Sequence, residues 1–155
     1  MAESTRQGVL PPGTPKVAVI TGSSRGIGAA AARLAAADGF AVAVNFKSDE
    51  ASALAVVADI QSGGGKAIAI QADTGSEEDI VRLFEETSKQ LGPVTALVNN
   101  AGMTGRRCLI EDVDAKTLND VFRVNIAGYF LCAREALNRM STKKGGHGGV
   151  IVNVS

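Results

Sequence analysis

Thr21-Gly22-Ser23-Ser24-Arg25-Gly26-Ile27-Gly28 stands between the apolar run Val17-Ala18-Val19-Ile20 and an alanine-rich segment from Ala29 to Asp38. A short unbroken apolar run that ends in glycines reads as a buried parallel strand, and the change to helical spacing behind it reads as a strand, a turn and a helix. Gly22 permits the tight turn, Gly26 lets backbone come close to a phosphate, and Gly28 lets the helix pack against the strand. The unpaired N–H groups at the helix start then face an anion, in this setting the pyrophosphate of a dinucleotide. Glycine spacing alone also fits a plain connection; the strand before it and the helix after it argue against that. No Gly-Lys-Ser/Thr follows, which excludes a P-loop.

The rest of the chain repeats the alternation. The first strand runs over about 16–21 and its helix stops at Asp38-Gly39. A second strand covers 41–46, and Ser48 or Asp49 caps a helix that reaches about Gln61 before Gly63-Gly64-Gly65. A third strand over 66–71 leads to Ser76-Glu77-Glu78-Asp79, which has the spacing of a capping box, and to an amphipathic helix ending near Leu91. A fourth strand over 95–98 runs into Asn99-Asn100-Ala101-Gly102. One long helix is expected from about Asp114 to Met140, then a Lys- and Gly-rich loop and a fifth strand over 150–154. Strands apolar on both faces that alternate with helices form a parallel sheet covered on both sides, a doubly wound α/β (Rossmann) fold with expected strand order 3-2-1-4-5. Residues 1–15, punctuated by Pro11, Pro12, Gly13 and Pro15, read as a flexible tail ahead of a dinucleotide-binding domain over 16–155.

The chain's 155 residues make one domain, and its 16 Lys and Arg balance its 16 Asp and Glu, so no net field attracts nucleic acid or an anionic membrane. No apolar run reaches membrane-spanning length and no secretory signal is present, which points to the cytoplasm. Cys108, Cys132 and the single His147 share no metal-binding spacing; no metal site is expected, and both thiols are read as buried or half-buried.

With these elements in place the sequence resembles the short-chain dehydrogenase/reductase family over nearly all of 16–155, in particular its glucose-1-dehydrogenase-like and 3-oxoacyl-carrier-protein-reductase-like members. The glycine turn, Asp73 after the third strand, Asn99-Asn100-Ala101-Gly102 after the fourth and Asn125 in the long helix carry the likeness. It implies an NAD(P)-dependent oxidoreductase acting on a small carbonyl or alcohol. The candidate cofactor-binding residues are Thr21, Gly22, Ser24, Arg25, Gly26, Ile27, Gly28, Asn45, Lys47, Asp73, Thr74, Asn99, Ala101 and Gly102. Asp73 is placed to accept from the adenine amino group, and also to form the turn ahead of the capping box; the two roles coexist. At the end of the second strand, where a carboxylate would hold a ribose 2′-hydroxyl, the sequence has Asn45 with Lys47 two residues on. Arg25 lies in the turn. Two cations and no carboxylate favour NADP(H), with NAD(H) also open, although each cation alone reads equally as a solvated charge.

Asn125, flanked by Val124 and Ile126 ahead of Gly128, makes a weak helical stretch in which a local distortion is expected. By resemblance it is the candidate catalytic residue, holding a water in the proton path; by itself it reads as a buried Asn satisfied by its own backbone. The family's Tyr-x-x-x-Lys pair is absent: the one tyrosine, Tyr129, has Ala133 four residues on. Ser155 matches the residue before the family's catalytic serine. The expectation is a chain truncated at its C-terminus, the cofactor-binding part of a longer reductase and inactive by itself, self-associating through the long helix. The alternative is a non-catalytic nucleotide- or partner-binding remnant; a methyltransferase on a similar sheet fits less well.

Overall fold

In a computed structural model, residues 12–155 are described. Most of the 1–15 tail thus lies outside the described residues; Pro15 is tied in, its carbonyl accepting from the Thr95 hydroxyl at 2.7 Å.

The elements in chain order are β1 (Val17–Ile20), α1 (Gly26–Ala37), β2 (Ala41–Phe46), α2 (Glu50–Ser62), β3 (Ala67–Gln71), α3 (Glu77–Leu91), β4 (Ala96–Asn99), α4 (Ala115–Phe122), α5 (Gly128–Met140) and β5 (Val150–Asn153). All strand pairs are parallel and the order is β3-β2-β1-β4-β5, as expected. Alternation along β1 assigns the two cores. Val17 and Val19 meet Leu83, Phe84, Cys132 and Ala136 from α3 and α5, while Ala18 and Ile20 meet Ala29, Ala32, Val56 and Ile60 from α1 and α2. The alanines of α1 permit this close seat on the sheet, and both neighbouring helices end where their glycines stand. Gly39 has φ 87, with its N–H on Ala36 C=O and Phe40 N–H on Ala35 C=O, so the last carbonyls of α1 are satisfied by a left-handed C-terminal turn.

Asp49 caps α2 by accepting from Ser52 N–H (3.2 Å), and Ser76 caps α3 by accepting from Asp79 N–H (3.4 Å). The reciprocal half of the box goes elsewhere: Asp79 Oδ2 receives Asp73 N–H at 2.8 Å. The expected single helix over 114–140 is divided. Asp114 is its cap, and between α4 and α5 the residues Arg123–Ala127 form a π-helical segment. The distortion expected around Asn125 is therefore a widened turn, and Gly128 just behind it passes so close to the Thr74 carbonyl that a Cβ would clash. The expectation that both cysteines are buried or half-buried holds for Cys132 but not for Cys108, which lies exposed in the loop before α4.

Candidate functional site

The C-terminal ends of β1, β2 and β4 open into one cleft with two adjoining hollows, of about 450 and about 940 Å³. Arg25, Asn100, Gly102 and Met103 line both and form the ridge between them. The smaller hollow lies over the glycine turn, β2 and the β3–α3 connection; the larger lies between the turn after β4, α4, the π-helical segment and β5.

The glycine turn is pinned from both sides. From β2, Asn45 Oδ1 accepts from Gly22 N–H (3.0 Å) and its carbonyl from Ser23 N–H (2.8 Å), while Ser23 Oγ donates to Ile20 C=O (2.7 Å). The Asn45 amide also donates to the carbonyls of Ile70 and Ala72 on the β3 side. From β4, the Thr21 hydroxyl accepts from Asn100 N–H (2.9 Å) and Ala101 N–H (3.0 Å), and the Asn100 amide donates to the carbonyls of Thr21 and Gly22. A Cβ on Gly22 would come 2.9 Å from Ala101 Cα, and one on Gly28 would come 2.5 Å from Asn100 Nδ2 and 2.6 Å from Gly22 O. Gly26, at φ 58, differs: a Cβ there meets nothing within 4 Å. Its bareness leaves open space in front of the helix start, as an approaching phosphate requires. The first hydrogen bond of α1 is Ala29 N–H to Arg25 C=O, so the N–H groups of Gly26, Ile27 and Gly28 have no acceptor within the helix. The residues present fit a dinucleotide pyrophosphate.

Two of the expected cofactor-binding residues are hydrogen-bonded within the protein. Asn45, only 1% exposed, lines the hollow but spends its side-chain hydrogen bonds on the turn and on the β3 side, while Lys47, one residue past β2, brings a cation to the same hollow. Asn99 is equally buried, and its amide donates to Tyr129 C=O and Asn153 Oδ1, bracing β4 against α5 and β5, while its Oδ1 has no partner among the described residues. The surface offered by this stretch comes from Asn100, Ala101 and Gly102.

The profile of the short chain dehydrogenase family matches residues 16–155. The chain belongs to the short-chain dehydrogenase family. It is 46% identical over 139 residues to the uncharacterized oxidoreductase YgfF of Escherichia coli (strain K12), covering 90% of this chain and 56% of that protein. It is 37% identical over 142 residues to a 3-oxoacyl-[acyl-carrier-protein] reductase of Synechocystis, covering 92% and 56%. Among solved structures, a short chain dehydrogenase from Burkholderia cenocepacia in complex with NADP superposes with a TM-score of 0.82 at 35% identity, covering 90% of this chain and 55% of the other. A blue fluorescent protein from a metagenomic library, in complex with NADPH, gives 0.80 at 34% identity, covering 90% and 55%. The chain spans about half the length of the curated relatives it matches.

In this member of the family, Ser24, Arg25, Lys47, Asp73 and Thr74 line the smaller hollow, whereas Ile27 lies exposed in the first turn of α1 and lines neither hollow. Arg25 and Lys47 do converge there, but two carboxylates accompany them: Asp49 and Asp73. Asp73 Oδ2 is 2.9 Å from Lys47 Nζ and 3.4 Å from Arg123 Nη1, and its Oδ1 accepts from Gly75 N–H (2.9 Å). Burial pushes the Asp73 carboxyl up, but Lys47, the Gly75 N–H and Arg123 together outweigh it and hold it below the usual carboxylate range. In the larger hollow the half-buried Asn125 clamps Met103: Oδ1 accepts from Met103 N–H (2.9 Å) and Nδ2 donates to Met103 C=O (2.8 Å). The amide's partners lie in the loop at Met103 and not in its own helix, contrary to the reading of an Asn satisfied by its own backbone. Tyr129 donates its hydroxyl to Val154 C=O (3.0 Å), and burial, with a smaller push from Cys132, raises it above the ordinary phenol range.

Sequence reasoning missed the Thr21 hydroxyl as the link between two turns, Asp49 inside the hollow, and Arg123 behind Asp73.

Proposed function

We propose that this chain forms the nucleotide-binding part of an NADP(H)-dependent oxidoreductase, one that moves a hydride between the nicotinamide and a small carbonyl or alcohol substrate. The observation that carries the reading is the smaller hollow, lined by Gly22, Ser24, Arg25 and Lys47, at the end of the glycine turn that leads into the free N–H groups at the start of α1. The NADP and NADPH complexes of similar chains support it. When bound, the cofactor supplies the hydride carrier. The chain's own residues bind and orient: the N–H groups of Gly26 to Gly28 receive the pyrophosphate, and Arg25 and Lys47 face the 2′-phosphate. Asp73 and Thr74 border the adenine end, and Asn100 to Gly102 present bare backbone to the nicotinamide half. NAD(H) is the weaker ligand.

Asn125 acts as a positioning residue, setting the loop at Met103 rather than touching the reacting atoms. The exposed Phe122, Ile126, Phe130 and Leu137 along α4, the π-helical segment and α5 are the surface through which two copies of the chain would associate. No helix among the described residues is long and apolar enough to cross a membrane.

Calorimetric titration of the 155-residue polypeptide tests the reading. NADPH is expected to bind roughly tenfold more tightly than NADH, the contribution of one charge-assisted contact. Equal affinities, or none, would overturn it. The same polypeptide, which has no Tyr-x-x-x-Lys pair, is expected to bind without steady NADPH oxidation by any carbonyl.

A further inference from the structure

Lys47 and Asp73 pair across the mouth of the smaller hollow, and the two partners are held very differently. Asp73 is 21% exposed and fixed: one carboxylate oxygen is tied to Gly75 N–H, the other is shared by Lys47 and Arg123. Lys47 is 62% exposed, a flexible chain ending in a point charge. A phosphate entering beside Lys47 therefore competes with Asp73 for the same ammonium. A nucleotide without that phosphate leaves the pair alone.

We propose that Asp73 is a specificity-determining residue, which limits the preference for a 2′-phosphorylated nucleotide by holding Lys47 against it. The inference rests on the reading of Lys47 as the 2′-phosphate contact. Arg123 acts in the opposite sense. It occupies part of the same Asp73 oxygen, so it loosens the grip on Lys47, and it remains to neutralise the carboxylate when Lys47 swings to the phosphate. The π-helical segment matters here because Arg123 is its first residue.

The measurement is the ratio of the NADH to the NADPH dissociation constant, by calorimetry, for the full chain and for Lys47→Met, Asp73→Asn and Arg123→Met. A general loss of adenosine binding cancels in the ratio. Lys47→Met should lower the ratio roughly tenfold. Asp73→Asn keeps an acceptor for Gly75 N–H, removes the competing charge and should raise the ratio about two- to fivefold, the range of a partly exposed ion pair. Arg123→Met should lower it by about twofold, and in the Lys47→Met background neither substitution should move it. An unchanged ratio in Lys47→Met sinks the cofactor reading itself. A lowered ratio there, with no rise in Asp73→Asn, overturns the role of Asp73 and leaves the cofactor reading standing. If Asp73→Asn binds neither nucleotide measurably, Arg123→Met decides, and a ratio that fails to fall overturns the proposal.

Discussion

Around Gly26 the cleft wall consists of strand ends and turn backbone whose polar groups are paired with buried side chains. Around Met103 it consists of an exposed loop held by one half-buried amide. The first wall draws on Thr21, Ser23 and Asn45, each at most 1% exposed. The second carries Leu109 and Ile110 out in solvent, is tied to the helix by the Asn125 clamp, and is braced within itself by the bond of Arg106 to Asp112 C=O. The contrast follows from the ligand each side must meet. The pyrophosphate is the same in NAD(H) and NADP(H), so a rigid cradle costs nothing in versatility; a wall that shapes a substrate pocket can vary without disturbing the sheet.

The contrast can be broken most severely at Gly28. Gly28→Val drives side-chain atoms into Asn100 and the Gly22 carbonyl, and overpacking of this kind costs about 3 kcal/mol. For a chain of this size that is a fall in Tm of roughly 6–12 °C, with nucleotide affinity lost as well. Calorimetric melting with and without NADPH checks it; a stable variant that still binds would mean the turn is plastic. Next comes Asn45→Asp. If Asn45 read the ribose, the change would convert the site to NADH. Because its amide donates to Ile70 and Ala72 carbonyls, the variant should instead place a carboxylate against two acceptors, lose about 2–3 kcal/mol in denaturant unfolding and weaken both nucleotides alike.

Asn125→Ala sharpens the other side. Two hydrogen bonds to Met103 vanish, worth about 1–2 kcal/mol together. Limited proteolysis should cut within 103–113 several times faster, while NADPH affinity stays within about twofold. Equal loss of affinity would show that the two walls are one unit. The smallest effect is chemical: Cys108, exposed, should react with iodoacetamide in the native protein, whereas Cys132, whose thiol burial and Glu135 push up to about 12, should label only on unfolding. Comparable native rates would mean that α5 opens readily.

Much of this molecule was legible before any coordinates. Strand order follows from the alternation of strands and helices, and the cap at Ser76, one of the two caps offered at Ser48 or Asp49 and the glycine stops follow from local chemistry, in which a short window of sequence carries the whole signal. The gathering of Arg25, Lys47 and Asp73 was also legible, because parallel strands deliver their C-terminal ends to one edge. What escaped was the direction of individual side chains and their distant partners. Asn45 sits where a ribose reader would sit, but its side chain turns under the glycine loop instead of over it. The local turn at Asp73 showed in its bond to Gly75, yet its pairing with Arg123 spans 50 residues and has no local trace. The habits of cysteine point to a buried or half-buried Cys108, and only the exposed course of its loop says otherwise.

The pins on the glycine turn reach 23 residues to Asn45 and 79 to Asn100. Closing such long loops is slow and entropically costly, so the cradle can take shape only after β1, β2 and β4 have assembled. Nucleotide capture is then the last event of folding and a test of its completion. A ligand that recognises the finished fold alone also pulls the equilibrium toward it, by about 2.7 kcal/mol at a hundred times its dissociation constant. The abundance of the folded chain thereby becomes coupled to the nucleotide supply of the cell that makes it.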